Sequence, residues 1–221
     1  MEFLENSDLA DVATFSKVAT EFVDVDNFMD YWLFNVYGAN ADWPHHNMSM
    51  YSRRSGPDRR WRWICWDADA TFDYGKQGLN HDTLAWATRS TLRHDLRFNN
   101  AMGALDAEDR VMTTYLALKL LENAGYRTKM VQRMLALLDT DLSPRRLEPA
   151  VDALNAQLEA DLLADWRRWS PSDQGVRLAQ AYAEDIQRVR QFIRQRPDII
   201  RAHFARLEYG TLQASIDAGS E

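Results

Sequence analysis

The amino-acid sequence predicts a mainly α chain carrying one small antiparallel β hairpin. Apolar residues recur at helical spacing over most of the 221 positions. Two short runs rich in Met, Tyr, Trp and Ile, Met48 to Arg53 and Arg60 to Cys65, flank Ser55-Gly56-Pro57-Asp58, whose residue types favour a turn. With 46% hydrophobic and 11% aromatic residues, the chain can bury a core without disulfides or structural metals. Six prolines and nine glycines leave little room for linkers. Residues 1–210 are therefore expected to form one unit, and residues 211–221, which lack an apolar stripe, to fray.

The first helix is expected to start at Ser7 or Asp8, with Leu9, Val12, Phe15, Val18, Ala19 and Phe22 on one side. Asp24 or Asp26 caps a second helix that runs through Phe28, Tyr31, Trp32, Leu33 and Val36 to a terminator at Gly38. It is apolar nearly all round, which predicts a central position. On the hairpin, Trp61 and Trp63 share a face and are expected to pack against the helices, with Arg60 and Arg62 opposite. Cys65, the one cysteine, reads as a buried, inert strand residue, because apolar surroundings raise a thiol pKa.

Tyr74 to Asn100 has no clean period beyond a short helix near Leu84 to Arg89. After it, Asp106 caps a helix ending at Gly125, and Tyr126 to Leu138 forms the next. Ser143-Pro144 starts a helix that breaks at Ser170-Pro171, with Glu148 placed to complement its N-terminal dipole. Gln174 to Gln195 and Pro197 to Tyr209 supply two more.

A formal charge of −7 argues against nucleic-acid binding, which needs a basic surface to release counterions. Arg53-Arg54 with Arg59-Arg60, Arg145-Arg146 and Arg167-Arg168 read as solvated faces; the hairpin set alternatively suits phosphate or an acidic protein. No segment is apolar and long enough to cross a bilayer, and the first residues lack the order of a secretory signal. His45 and His46 adjoin on one loop with no Cys or His at ligand spacing, against zinc. His81, His94 and His203 read as surface or capping residues, and no nucleophile-elbow motif is present.

Two acidic segments flank the hairpin: Asn40-Ala41-Asp42-Trp43-Pro44-His45-His46-Asn47 and Trp66-Asp67-Ala68-Asp69-Ala70-Thr71-Phe72. An Asp, an Asn five places later, two strands and a further Asp is the order in which protein kinases present their chemistry. Taken singly, Asp42 reads rather as a turn former and Asn47 as a strand cap, and Asp67 and Asp69 could be turn formers too. Their co-occurrence beside Ile64-Cys65-Trp66 and Phe72 favours a site, because a partly dehydrated carboxylate needs a counter-charge.

The stretch Asp24 to Phe72 resembles the CotH family of spore-coat-type atypical kinases, with its N-x-D-W-P-x-x-N and W-D-x-D-x-x-F segments. Asp24 to Tyr31, Leu137-Leu138-Asp139-Thr140 and Arg196-Pro197 are similar to that family as well. The resemblance implies a protein-kinase-like carboxy-terminal lobe that uses ATP with Mg²⁺ or Mn²⁺ to phosphorylate Ser or Thr of a protein substrate. Asp42 would be catalytic, and Asn47, Asp67 and Asp69 would hold metal through the hard oxygen ligands that Mg²⁺ prefers. A secreted or surface location is implied, and Tyr74 to Asn100 would hold activation and substrate-docking loops. No Gly-rich loop precedes Asp42, and Lys17 is the lysine upstream of it. Two other readings therefore stand beside the kinase: an inert kinase-like binding module of a larger protein, and a metal-dependent phosphoesterase using Asp67 and Asp69.

Overall fold

The computed structural model describes residues 2–44, 46–74, 78–88, 112–169 and 174–208. Its elements are α1 (Glu2–Glu5), α2 (Val12–Lys17), a π-helical turn (Val18–Phe22), α3 (Val25–Gly38), β1 (Met48–Tyr51) and β2 (Arg62–Cys65). Then come α4 (Thr83–Ala87), α5 (Met112–Leu121), α6 (Ala124–Asp139), α7 (Pro144–Trp169) and α8 (Gln174–Glu208). The fold is mainly α with a single two-stranded antiparallel sheet among the described residues, as the sequence predicts.

Helix α3 is the axis of the core. Phe28, Met29, Trp32, Leu33, Val36 and Tyr37 are all buried, which is the outcome expected of a helix apolar nearly all round. Asp24 caps it by accepting from the Asn27 N–H. At its far end Gly38 is the last helical residue, and Ala39 takes the left-handed conformation (φ 50°). A side chain at Gly38 would sit 3.2 Å from Thr71 Cγ2, so the glycine serves close approach to the loop after β2.

The hairpin pairs Met48 with Cys65 and Tyr51 with Arg62. Its free edge along β2 is clamped to the start of α3. The Asn27 side chain accepts from the Trp63 N–H at 2.6 Å and donates to the Trp63 carbonyl at 3.2 Å, while Asp24 N–H donates to the Trp61 carbonyl. Trp63 packs edge-on against Phe28 at 4.8 Å.

Several expectations are corrected. Helix α2 is capped by Asp11, whose carboxylate accepts from the Thr14 N–H at 2.8 Å, rather than by Ser7 or Asp8. Helix α5 stops at Leu121, because Asn123 caps α6 and Gly125 falls in that helix's first turn. Trp61 is 45% exposed, whereas Trp63 alone of the pair is buried. Arg60 is not simply solvated: with Arg62 it pairs with Asp24 and Asp58. Cys65 is exposed, although its thiol is partly covered and that burial pushes its pKa up. His203 is buried, 3.4 Å from Asp82, rather than a surface residue. Pro197 does not divide the last segment. A proline inside a helix costs about 3 kcal/mol, but Phe192, Ile193, Ile200, Phe204 and Leu207 bury one continuous face on both sides of it, and α8 runs through. The expectations for His45, His94, Asp106, Ser170-Pro171 and the 211–221 tail lie outside the described residues.

Candidate functional site

The two segments that flank the hairpin are held by α3 through a chain of amides. Asn35, inside α3, donates to the Tyr31 carbonyl (2.9 Å) and accepts from Asn40 Nδ2 (2.8 Å), and Asn40 Oδ1 accepts from the Asp42 N–H (3.1 Å). Both asparagines are buried, so each unmade bond would leave a dehydrated polar group. Trp43 completes the anchor: fully buried, it packs edge-on against Trp32 at 4.5 Å and donates from Nε1 to the Tyr31 hydroxyl at 2.9 Å. Burial of that hydroxyl raises the Tyr31 pKa well above its ordinary value, so it stays protonated.

The second segment is bound back to the first. The Ala41 N–H donates to the Ala70 carbonyl (2.9 Å) and the Phe72 N–H to the Gly38 carbonyl (2.9 Å). Asn47 Nδ2 donates to the Asp67 carbonyl at 3.2 Å, across the open end of the hairpin. Asp42, Asp67 and Asp69 all present exposed side chains, which corrects the expectation of a partly dehydrated carboxylate: Ile64, Cys65 and Trp66 are exposed too and give no apolar cover.

Among the described residues, five non-glycine residues have positive φ: Ala39, Asn47, Asp67, Phe72 and Asp73. Asn47, Asp67 and Phe72 belong to these two segments, and Ala39 and Asp73 directly adjoin them. Left-handed backbone costs roughly 1–3 kcal/mol per residue, least for Asn and Asp, and persists only where surroundings impose it; two of the four candidate residues, Asn47 and Asp67, adopt it. Beside Ala41 opens a cleft of about 390 Å³ lined by Ala39, Asn40, Tyr74, Gly78, His81 and Trp86.

The donor chemistry fits a hard divalent cation. With Nδ2 committed to the main-chain carbonyl of Asp67, Asn47 keeps Oδ1 as its acceptor, the oxygen type such a cation takes. Against this, no cluster of three or more His, Cys, Asp and Glu side chains with metal-ligating placement occurs among the described residues. Sequence reasoning missed Asn35, and it named Asn40 and Arg196 without their role as buried polar residues behind the Asp42 loop. One signal was available: an asparagine inside the otherwise apolar run Leu33-Phe34-Asn35-Val36 needs a specific partner.

A helical scaffold that presents Asp- and Asn-bearing loops at the open end of one hairpin is consistent with a lobe of the protein-kinase type. Residues 1–200 match the family model described as CotH kinase protein. The chain belongs to that family. No curated protein and no solved structure matches it significantly.

Proposed function

We propose that this chain is the helical lobe of a CotH-type kinase that transfers the γ-phosphate of ATP to a Ser or Thr hydroxyl of a protein, with Mg²⁺ or Mn²⁺. The Asn47–Asp67 hydrogen bond carries this reading, because it ties together the two loops that supply the candidate residues. Asn47 Oδ1 and the carboxylates of Asp67 and Asp69 would hold the cation. When bound, such a cation neutralises charge on the transferring phosphoryl group. Asp42 orients the acceptor hydroxyl and takes its proton, from a loop fixed by the Asn35–Asn40 chain and by Trp43. Exposed Trp66, next to Asp67 in the chain, leaves apolar surface suited to a nucleotide base.

Titration of Mg²⁺ or Mn²⁺ with ATP against the wild type and Asp67→Ala tests the metal role. The substitution is expected to weaken metal–ATP binding at least about tenfold, as loss of one charged ligand implies; equal binding by both would contradict the assignment. Asp42→Asn is expected to lower transfer about 10²–10⁴-fold with ATP binding retained, the range for loss of a general base.

The absence of a three-member ligand cluster among the described residues favours one other reading, an inert binding module on the same scaffold. Labelled ATP with a generic protein acceptor separates the two: transfer abolished by Asp42→Asn supports the enzyme, and a folded chain that transfers nothing supports the module.

A further inference from the structure

We propose that Arg196 is a positioning residue, which fixes the two walls of the cleft relative to each other and through them the placement of the Asp42 loop. Its guanidinium is fully buried and has no carboxylate in hydrogen-bond contact among the described residues. Instead it donates to carbonyls from two chain segments. On one side Nε reaches the Tyr37 carbonyl at 3.0 Å and Nη2 the Val36 carbonyl at 2.9 Å. On the other, Nη1 reaches the carbonyls of Gly78 (3.3 Å), Leu79 (2.7 Å) and His81 (2.9 Å), and Nη2 the Thr83 hydroxyl (3.4 Å).

The first pair belongs to the last turn of α3, where carbonyls lack helical partners and the helix dipole is negative. A buried cation is compensated there by dipoles. Burial lowers the Arg196 pKa to about 10, so the side chain remains charged at neutral pH. Asp82, the carboxylate whose charge acts on it, is paired with Arg206 and lies 3.4 Å from His203 Nδ1.

An apolar side chain of similar length could not fill this place, because it would leave the carbonyls without this donor. Arg196 is forked between the last turn of α3 and residues 78–83, both of which adjoin the site. Beyond Tyr37 lie Gly38, whose carbonyl accepts from Phe72, and Asn40, which caps the Asp42 N–H. Gly78 and Leu79 are held from above by the Asp73 carboxylate at 2.9 and 3.1 Å. The walls touch without slack: a Cβ on Gly78 would lie 3.0 Å from Asp73 Cα and 3.3 Å from Ala39 Cβ. Phe192, one turn before Arg196 on α8, packs on Phe72 at 5.5 Å and on Tyr37 at 6.0 Å, so α8 meets both walls at once.

Amide hydrogen exchange on the full chain tests this with Arg196→Lys, which keeps charge and length but loses the fork. The amides of Asn40, Ala41, Phe72, Gly78 and Leu79 are expected to exchange at least about tenfold faster while those of α6 are unchanged, the signature of local opening. Uniform acceleration that includes α6, or no change at the cleft, overturns the proposal. A measurement on the wild type covers the case of a variant that does not fold: the five amides should open as one unit with a single denaturant slope, and independent slopes overturn it. The activity readout rests on the kinase reading: kcat is expected to fall about tenfold with KM for ATP unchanged, within the range for a misplaced catalytic group. Local loosening in a chain whose wild type transfers no phosphate supports the role of Arg196 and overturns the kinase reading alone.

Discussion

Helix α3 and helix α7 are both regular helices, yet nine of the fourteen residues of α3 are buried and none of the twenty-six of α7 is. Around α3 every neighbour is specified: Trp43 by one ring and one hydroxyl, the hairpin edge by the Asn27 amide, the Asp42 loop by two buried asparagines. Along α7 the partner is α8, met through rim interactions. Arg190 pairs with Asp152 at 2.5 Å, Arg194 with Glu148 at 2.6 Å, and the Tyr182 hydroxyl donates to Asn155 at 2.6 Å. Leu154, Leu158 and Trp169 stay largely exposed. Conformational precision is therefore concentrated where the candidate residues lie, and the α7 arm keeps its helix with little packing to dictate sequence.

The sharpest way to break this contrast is Trp43→Ala. Loss of a fully buried tryptophan is expected to cost about 3–5 kcal/mol by denaturant unfolding, and a loss below about 1 kcal/mol would show that the Asp42 loop is not set by packing. Acid tests the exposed rim of the same region. Arg60 and Arg62 hold the Asp58 carboxyl well below the usual carboxylate range, so the unfolded chain takes up that proton more readily than the folded one. The stabilisation is complete above the ordinary carboxylate pKa of about 4 and is lost as pH falls below it. The stability difference between wild type and Asp58→Asn should therefore shrink through that window; a difference constant with pH contradicts the ion-pair account. The smallest effect is expected on the arm, where Leu154→Ala should shift stability by no more than about 0.5 kcal/mol. A larger shift would mean that α7 is covered in the native protein.

Legibility followed the same divide. The hairpin, its turn and the α3 boundaries were readable because Asp24, Gly38 and Ser55-Gly56-Pro57-Asp58 act locally. The candidate residues were proposed from their order along the chain. Their surroundings were not readable from it. Asp67 and Asp69 face solvent where a dehydrated setting was expected, because the residues beside them turn outward at the end of β2. Pro197 read as a break because local propensity disfavours it, whereas buried side chains on both sides of it carry the helix through.

The sequence by itself determined the class of the fold, the family and the candidate residues, since periodicity, turn chemistry and motif order are properties of neighbours along the chain. Tertiary structure alone decided that Asn35, Asn40 and Arg196 stand behind those residues. Asn35 and Asn40 meet each other and groups within five positions, whereas Arg196 meets backbone carbonyls as far as 160 positions away. A carbonyl has the same identity at every position, so no residue type in the sequence announces which one a buried side chain will meet.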